Sequence, residues 1–361
     1  MKNLALRKTP GSFDLSRPQS VDRPFFATPA GWAFVLLASY ILWFLATSER
    51  SIYRLPDQEA YIAYFRYTDW NWLERYFQRR GFSPSLIPRI VTDEIGWRIW
   101  ILFVNAFGFT PDTAIRITVV LANGLVFLAL TRLRRPLTGL LLWIVIPSAL
   151  CVTGLFQIRQ GFAFAIAVLF AIVFRRPVLG LLIASTIHTT VAFPALLLIA
   201  ARLSGPNNRT AITLVSIAGA MLSMSAQMLF DTFGGRRLGD YAGYQAEFSV
   251  NLLVLMLSYS IGSMLLMTSL PYIRALRLRS SMRELALMHF GLVVYLVFAF
   301  TLFPFGKDRV FYYISLMLPF FVQEIRVKDG LTLWMLVVLY FMIFAEAFLA
   351  YQKGVYAYFL K

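Results

Sequence analysis

The sequence has few charged residues and few of the side chains that build metal or disulfide sites. Only 14% of its 361 residues are charged, and it has one cysteine, Cys151, and two histidines. A single cysteine excludes an internal disulfide framework, and two histidines without a Cys/His cluster argue against a zinc site. We therefore expect neither a metal nor another cofactor.

Hydrophobic residues make up 59% of the chain and aromatic residues 16%. A soluble protein this apolar could not cover its surface with polar groups. Apolar runs of nearly twenty residues, the length that crosses a bilayer as a helix, recur along the chain. The sequence predicts an all-α, polytopic helical membrane protein. The first run, Trp32 to Ala46, has no cleavage motif, so we expect it to stay as a span.

The formal net charge of +16 does not indicate nucleic-acid binding, because the basic residues form short clusters between the apolar runs. Such clusters mark the cytoplasmic side of a membrane protein. They lie at 132–135, 175–176, 202–209, 274–283 and 326–328.

If every cluster is cytoplasmic, two apolar segments cannot cross the membrane. Residues 94–107 then lie along the outer face or dip into it, and residues 178–200 enter and return as a re-entrant hairpin. These two bring the total to about 9–11 membrane segments. The nine predicted spans are 31–47, 112–131, 137–152, 159–174, 210–230, 250–271, 285–303, 309–323 and 331–350.

The remaining segments are assigned by composition. Residues 1–29 are basic and proline-rich, which predicts a disordered cytoplasmic tail, and residues 30–361 form a single integral-membrane domain. Residues 48–111 and 231–250 are predicted to be extracytoplasmic. The first contains "YIAYFRYTDWNWLERYF", which is typical of amphipathic helices at the outer interface.

Arg159 stands out because it begins an apolar run, "IRQGFAFAIAVLF". The clusters at 132–135 and 175–176 bracket two short runs, so the turn at 153–158 must face outward. Arg159 therefore starts a helix on the outer side, where unpaired backbone N–H groups and the helix dipole favour an anion. A lipid phosphate is the anion expected at that depth. The alternative is that Arg159 snorkels to the interface or pairs with a carboxylate.

Four segments in the same order resemble the EpsG family of exopolysaccharide polymerases, which is related to Wzy-type polymerases and to GT-C membrane glycosyltransferases. They are "DQEAYIAYF", "EIGWRIWILFVNAFGF", "IRQGFAFAIAVLF" followed by "RRP" and "LIASTIHTTVAF", and "KDRVFYYISLMLP". The resemblance covers about residues 31–325, and the basic N-terminal tail has no counterpart in it.

The resemblance implies an enzyme that joins undecaprenyl-diphosphate-linked repeat units at the outer face of the bacterial inner membrane. The growing chain would be transferred onto the next lipid-linked unit, without ATP or a nucleotide sugar. The expected partners are these lipid-linked glycans and membrane lipids, with a chain-length regulator and a flippase as further candidates.

Such a reaction needs cations for the diphosphate and a base for the attacking hydroxyl. Arg159 is the first candidate for the diphosphate, and Arg309 starts a second outer helix. Arg309 and its neighbours Lys307 and Asp308 are alternatively an interface anchor. The remaining substrate-binding candidates are Gln160, Tyr312, Tyr313 and Arg98.

Three residues are candidates for the base. Asp57 directly follows the first span, Glu94 precedes the outer apolar segment, and His188 lies near mid-depth at the tip of the proposed hairpin. The sequence does not separate Asp57 from Glu94, and the alternative for Arg98 is that it pairs with Glu94 instead of binding substrate. The alternative for His188 is a neutral core histidine bonded to Thr189 or Thr190.

Two other functions compete with polymerisation. One is a GT-C-type transferase that uses a polyprenyl-phosphate sugar, or an enzyme like an O-antigen ligase. The other is a flippase without chemistry. A flippase should show polar residues on many spans and repeat symmetry, whereas the polar groups here concentrate at outer helix ends.

Overall fold

The computed structural model describes residues 27–48, 57–80, 86–233, 250–301 and 307–357, and all regular elements in these ranges are helical. The predicted all-α class is confirmed. Residues 1–26 of the predicted tail, and most of the predicted outer loop 231–250, lie outside the described residues. The first helix begins at Pro29, where the Thr28 hydroxyl accepts a hydrogen bond from the Gly31 N–H and so caps the helix.

Fifteen α-helices are numbered here in chain order within the described ranges. They are α1 Pro29–Thr47, α2 Gln58–Tyr67, α3 Trp70–Arg80, α4 Leu86–Thr92, α5 Ile95–Asn105, α6 Pro111–Leu130, α7 Pro136–Val145, α8 Ile158–Val168, α9 Pro177–Ile187, α10 Ala192–Leu203, α11 Asn208–Phe233, α12 Val250–Ser269, α13 Leu276–Thr301, α14 Lys307–Phe321 and α15 Gly330–Gln352.

Six helices are long and apolar enough to cross a membrane: α1, α6, α11, α12, α13 and α15. Their outward faces carry large exposed hydrophobic side chains, such as Leu36 and Trp43 on α1 and Trp334 and Phe341 on α15. Faces of this kind are stable against lipid and would be unfavourable in water. The chain is therefore a multi-pass membrane protein.

The predicted span at 137–152 is sharply bent. α7 ends at Val145, and the chain continues as a π-helix over Ser148–Phe156 that is bent by 72° from α7. The cause is Pro147, because proline lacks the N–H of a continuing helix and disfavours helical geometry in the residue before it. Ile146 is accordingly extended, with a ψ of 116°.

The basic clusters gather at one end of the helix bundle, as predicted. Glu324, just after α14, accepts a hydrogen bond from the Arg134 backbone N–H at 2.8 Å. Its carboxylate also interacts electrostatically with Arg134, Arg326 and Arg175. Three clusters that are distant in sequence therefore surround one acidic residue, and we refer to this end of the molecule as the basic end.

The other two clusters lie at the same end. The Arg326 N–H donates to the Ser269 hydroxyl at 3.0 Å, next to the start of the 274–283 cluster. Arg283 from that cluster donates to the Gly205 carbonyl at 2.9 Å, within the 202–209 cluster. All five clusters thus share one side of the molecule.

The predicted re-entrant hairpin is confirmed by these contacts. α9 starts next to Arg176 at the basic end and is 11 residues long, about 16 Å, which is too short to cross a core of about 30 Å. Helical geometry is interrupted at His188, with φ −142° and ψ 117°. α10 then ends at Leu203, immediately before the contact between Gly205 and Arg283. Both ends of the segment therefore lie on the same side.

The direction of α10 is fixed by its packing on α13. The rings of Phe193 and Tyr295 are 5.3 Å apart, and Leu197 lies against Gly291 one turn further along. The sequence numbers rise on α10 as they fall on α13, so the two helices are antiparallel. α13 begins at the basic end, and α10 therefore runs back towards it.

Four short helices, α2 to α5, form a layer at the opposite end. α5 does not cross the membrane, as predicted: Glu94 at its start approaches His188, and Asn105 at its end donates to the Phe65 carbonyl of α2 at 2.8 Å. Trp97 of α5 is fully buried against the rings of Tyr61 and Phe65. This layer, and not a single loop, covers the tip of the hairpin.

Candidate active site

Glu94 lies at the junction between α4 and α5, where the chain turns sharply. Its backbone is left-handed, with φ 52°, an uncommon conformation for a residue with a long side chain. The residue is 1% exposed. Backbone strain of this kind persists where the surrounding structure enforces it, and it concentrates at functional sites. The conformation directs a carboxylate into the space between α8 and the hairpin.

Arg159 forms an ion pair with this carboxylate, with 2.6 Å between Arg159 Nη1 and Glu94 Oε2. Arg159 is the second residue of α8, as the sequence predicted, and its side chain is 18% exposed whereas that of Glu94 is 2% exposed. Charge-assisted bonds of this length are among the stronger hydrogen bonds in proteins. The pairing of Arg159 with a carboxylate, one of the two sequence-based alternatives, is therefore present in this structure.

His188 contacts the other oxygen of Glu94. Its Nδ1 is 2.9 Å from Glu94 Oε1, which also accepts the backbone N–H of Thr189 at 3.2 Å. The hydroxyls of Thr189 and Thr190 bond elsewhere, to the Val91 carbonyl at 3.0 Å and to Tyr313 at 2.9 Å. The alternative of a histidine bonded to those threonines is thus replaced by a carboxylate–histidine pair.

Two glycines allow these elements to approach closely. A Cβ on Gly96 would lie 2.2 Å from the Thr186 hydroxyl, and a Cβ on Gly161 would lie 2.1 Å from the Thr153 carbonyl. Both separations are far below van der Waals contact. The first glycine lets α5 rest on α9, which brings Glu94 to His188, and the second lets the start of α8 fit against the π-helix.

Two tyrosines of α2 and one arginine of α5 surround Arg159. The Arg159 guanidinium carbon lies 5.5 Å from the ring centroid of Tyr61 and 5.1 Å from that of Tyr64. The Arg98 guanidinium carbon lies 4.3 Å from the same Tyr64 centroid and 4.6 Å from that of Trp72. Arg98 also donates to the Thr68 hydroxyl. Tyr61 and Tyr64 are not among the residues predicted for the site, although their spacing of three residues places them on one helix face.

The other predicted residues lie around this core. Gln160 is buried beside Arg159. Tyr313 is buried and joins the site through Thr190, whereas Tyr312 is only partly buried on the neighbouring face of α14. Arg309 lies in the first turn of α14, as predicted for a second helix start, and its side chain is outside the described part of the structure.

Asp57 is the other carboxylate that was a candidate for the base. It is exposed at the start of α2, with a left-handed φ of 63°. The neighbouring Gln58 is buried and donates to the carbonyls of Leu155 and Phe156 at 3.5 and 3.4 Å. Asp57 therefore lies above the turn that precedes Arg159, and the contacts within the site are made by Glu94.

The site is at the end of the bundle away from the basic clusters. Arg159 begins the helical segment 158–173, whose other end precedes Arg175 at the basic end. A helix of 16 residues separates them by about 24 Å. The arrangement offers a buried carboxylate–histidine pair next to two guanidinium groups. The carboxylate–histidine pair is suited to proton transfer, and the guanidinium groups are suited to binding a phosphate.

The chain matches a known protein family along nearly its whole length. The model described as the EpsG family matches residues 32–360, nearly the whole chain. The chain belongs to the EpsG family. No curated protein and no solved structure matches it. Membership of the EpsG family indicates an exopolysaccharide polymerase, and hence a glycosyltransferase-like membrane enzyme. All nine predicted site residues fall within the matched EpsG range.

Proposed function

We propose that this EpsG protein polymerises undecaprenyl-diphosphate-linked oligosaccharide repeat units at the outer face of the bacterial inner membrane, with its N-terminus in the cytoplasm. The observation that carries the proposal is Glu94, which contacts both Arg159 and His188 in a nearly buried position. A cation for the leaving diphosphate and a base for the incoming hydroxyl are thereby held on opposite oxygens of one carboxylate.

The reaction is the transfer of the growing glycan from its lipid carrier to the next unit. A sugar hydroxyl of the acceptor attacks the anomeric carbon of the donor, and the bond from that carbon to the diphosphate oxygen breaks. Undecaprenyl diphosphate leaves with the electron pair, and the hydroxyl proton passes to the base. The energy comes from the lipid diphosphate, so no nucleotide is consumed.

Arg159 binds the diphosphate and stabilises the charge that develops on the leaving oxygen. A guanidinium group presents several donors in one plane and grips two phosphate oxygens at once. Its place in the first turn of α8 adds the favourable field of a helix N-terminus. Arg98 supplies a second cation close by, and Arg309 on α14 supplies a third. Gln160, Tyr312 and Tyr313 contribute hydrogen-bonding groups around them.

His188 is the general base in this proposal. Glu94 contacts Nδ1 and therefore favours the tautomer that carries its proton there, which leaves Nε2 to accept the hydroxyl proton. Glu94 then stabilises the imidazolium that forms, a role seen wherever a carboxylate orients a catalytic histidine. Asp57, exposed above the site, is the alternative base. A chain-length regulator and a flippase are the proposed partners in the membrane.

The proposal is tested by reconstituting the purified protein in liposomes with undecaprenyl-diphosphate-linked repeat units. We expect glycan polymer and released undecaprenyl diphosphate without ATP or nucleotide sugar. His188→Ala should reduce the rate by about 100- to 10,000-fold, the usual contribution of general base catalysis. If the protein made no polymer but transferred single sugars from a polyprenyl monophosphate, the GT-C alternative would replace the proposal.

A further inference from the structure

The ring of Tyr64 is shared by two arginines. The guanidinium carbon of Arg98 is 4.3 Å from the ring centroid and that of Arg159 is 5.1 Å from it. Each arginine also has a second aromatic neighbour: Arg98 lies over Trp72 and Arg159 lies over Tyr61. Tyr64 is the only one of these three rings with a described contact to both arginines.

Two guanidinium groups that contact the same ring carry like charges and repel each other, and such repulsion is stronger in a partly buried site than in water. Glu94 compensates Arg159 directly, at 2.6 Å. Arg98 also donates to the hydroxyl of Thr68. The negative face of an aromatic ring attracts a cation, so a ring that contacts two cations offsets part of their repulsion and helps to hold both in place.

We infer that Tyr64 is a positioning residue that holds Arg98 and Arg159 as a pair of cations for the two phosphate groups of the donor. The inference rests on the proposed function, because it takes the lipid diphosphate as the ligand. Tyr64 itself touches no reacting atom. It acts by keeping the guanidinium groups of Arg98 and Arg159 against one ring near the start of α8, so that each can bind one of the two phosphates.

Tyr64→Phe and Tyr64→Leu separate the role of the ring from that of the hydroxyl. We expect Tyr64→Phe to retain kcat/KM for lipid-linked repeat units to within about threefold, because the ring remains. Tyr64→Leu should lower kcat/KM by about 10- to 100-fold, the effect of losing two cation–aromatic contacts in a partly desolvated site. Inhibition by inorganic pyrophosphate should weaken in Tyr64→Leu by a similar factor, which a merely structural defect would not cause.

Tyr67→Leu is the matched control, since Tyr67 ends the same helix and is 70% exposed. It should leave both kcat/KM and pyrophosphate inhibition unchanged. If Tyr64→Leu does not fold, Tyr64→Met, whose flexible side chain fills irregular space, is measured in its place.

Two results would overturn the inference while leaving the proposed function intact. The first is that Tyr64→Leu has wild-type kcat/KM while Arg159→Ala is impaired. The second is that Tyr64→Phe loses as much kcat/KM as Tyr64→Leu. A normal Arg159→Ala would overturn the role of the arginine in the proposed function, and the positioning role of Tyr64 with it.

Discussion

At the scale of the residue, Glu94 uses both carboxylate oxygens within the site. Oε2 faces Arg159, and Oε1 faces His188 and the Thr189 N–H. A carboxylate that is 2% exposed is costly to bury unless such partners compensate it. Its left-handed backbone adds a further cost. The arrangement therefore lowers the stability of the protein but fixes the positions of Arg159 and His188.

Replacing Glu94 with glutamine should therefore destabilise the protein. Glutamine keeps the size of the side chain but leaves the Arg159 charge uncompensated, which costs about 3 kcal/mol, near the low end of the range for buried ion pairs because Arg159 is 18% exposed. We expect a lower thermal unfolding midpoint for Glu94→Gln in detergent, partly restored in Glu94→Gln/Arg159→Gln.

The control for this prediction is Glu59→Gln, which removes an exposed carboxylate from α2 and should leave the midpoint unchanged. A wild-type midpoint for Glu94→Gln would show that the ion pair does not compensate a buried charge.

The sequence predicted part of this site. Arg159 was placed at an outer helix start because two basic clusters bracket its helix, which is information local to that stretch. Its partner Glu94 lies 65 residues away, and their contact depends on how α5 packs on α9, for which no local pattern exists. The sequence could not separate Asp57 from Glu94 for the same reason. Tyr64 was missed because aromatic residues at an interface are common and their partners are not visible in sequence.

At the scale of the element, the hairpin α9–α10 determines where His188 can lie. Its two short helices start and finish at the basic end, and the break at His188 and the short 3-10 turn Thr189–Val191 form its tip. The break leaves backbone N–H and C=O groups without helical partners, and away from water they need hydrogen bonds from other parts of the protein. The N–H of Thr189 makes such a bond by donating to Glu94. Irregular backbone at the tip therefore forms part of the site.

The hairpin predicts which positions are reachable from each side. Replacing Cys151 with alanine gives a cysteine-free chain into which single cysteines are introduced. We expect cysteines at the exposed positions Arg134, Arg176 and Arg202 to be protected from a membrane-impermeant thiol reagent in intact spheroplasts. A cysteine at Asn71, exposed on α3, should react.

Opening the membrane with detergent is the control, after which all four positions should react. Reaction at position 202 together with protection at position 176 in intact spheroplasts would mean that residues 178–200 cross the membrane once, and the hairpin would be wrong.

At the scale of the whole molecule, the charges separate into two ends. One end gathers five basic clusters around Glu324 and Arg283, and the other holds the site beneath the layer α2–α5. Hydrophobic length and charge clusters were sufficient to predict the fold class, the hairpin and the non-crossing α5. They did not predict the bend at Pro147, because a proline near the middle of an apolar run is compatible with either a kink or a break.

In the proposed reaction, Arg159 binds the diphosphate of a lipid-linked donor. The most direct measurement is the polymerisation rate of purified Arg159→Ala with undecaprenyl-diphosphate-linked repeat units. We expect a loss of about 100- to 1000-fold, as for other single contacts to a developing negative charge, with single repeat units accumulating. Arg159→Lys should recover little, because lysine lacks the planar fork.

Arg66→Ala removes an exposed positive charge from α2 in the same layer and should leave the rate unchanged, which separates a specific contact from a general loss of charge. We expect a folded, membrane-inserted Arg159→Ala protein that makes little polymer and an Arg66→Ala protein that makes a normal amount. Near-normal polymer from Arg159→Ala would contradict this expectation and would reduce Arg159 to the structural partner of Glu94.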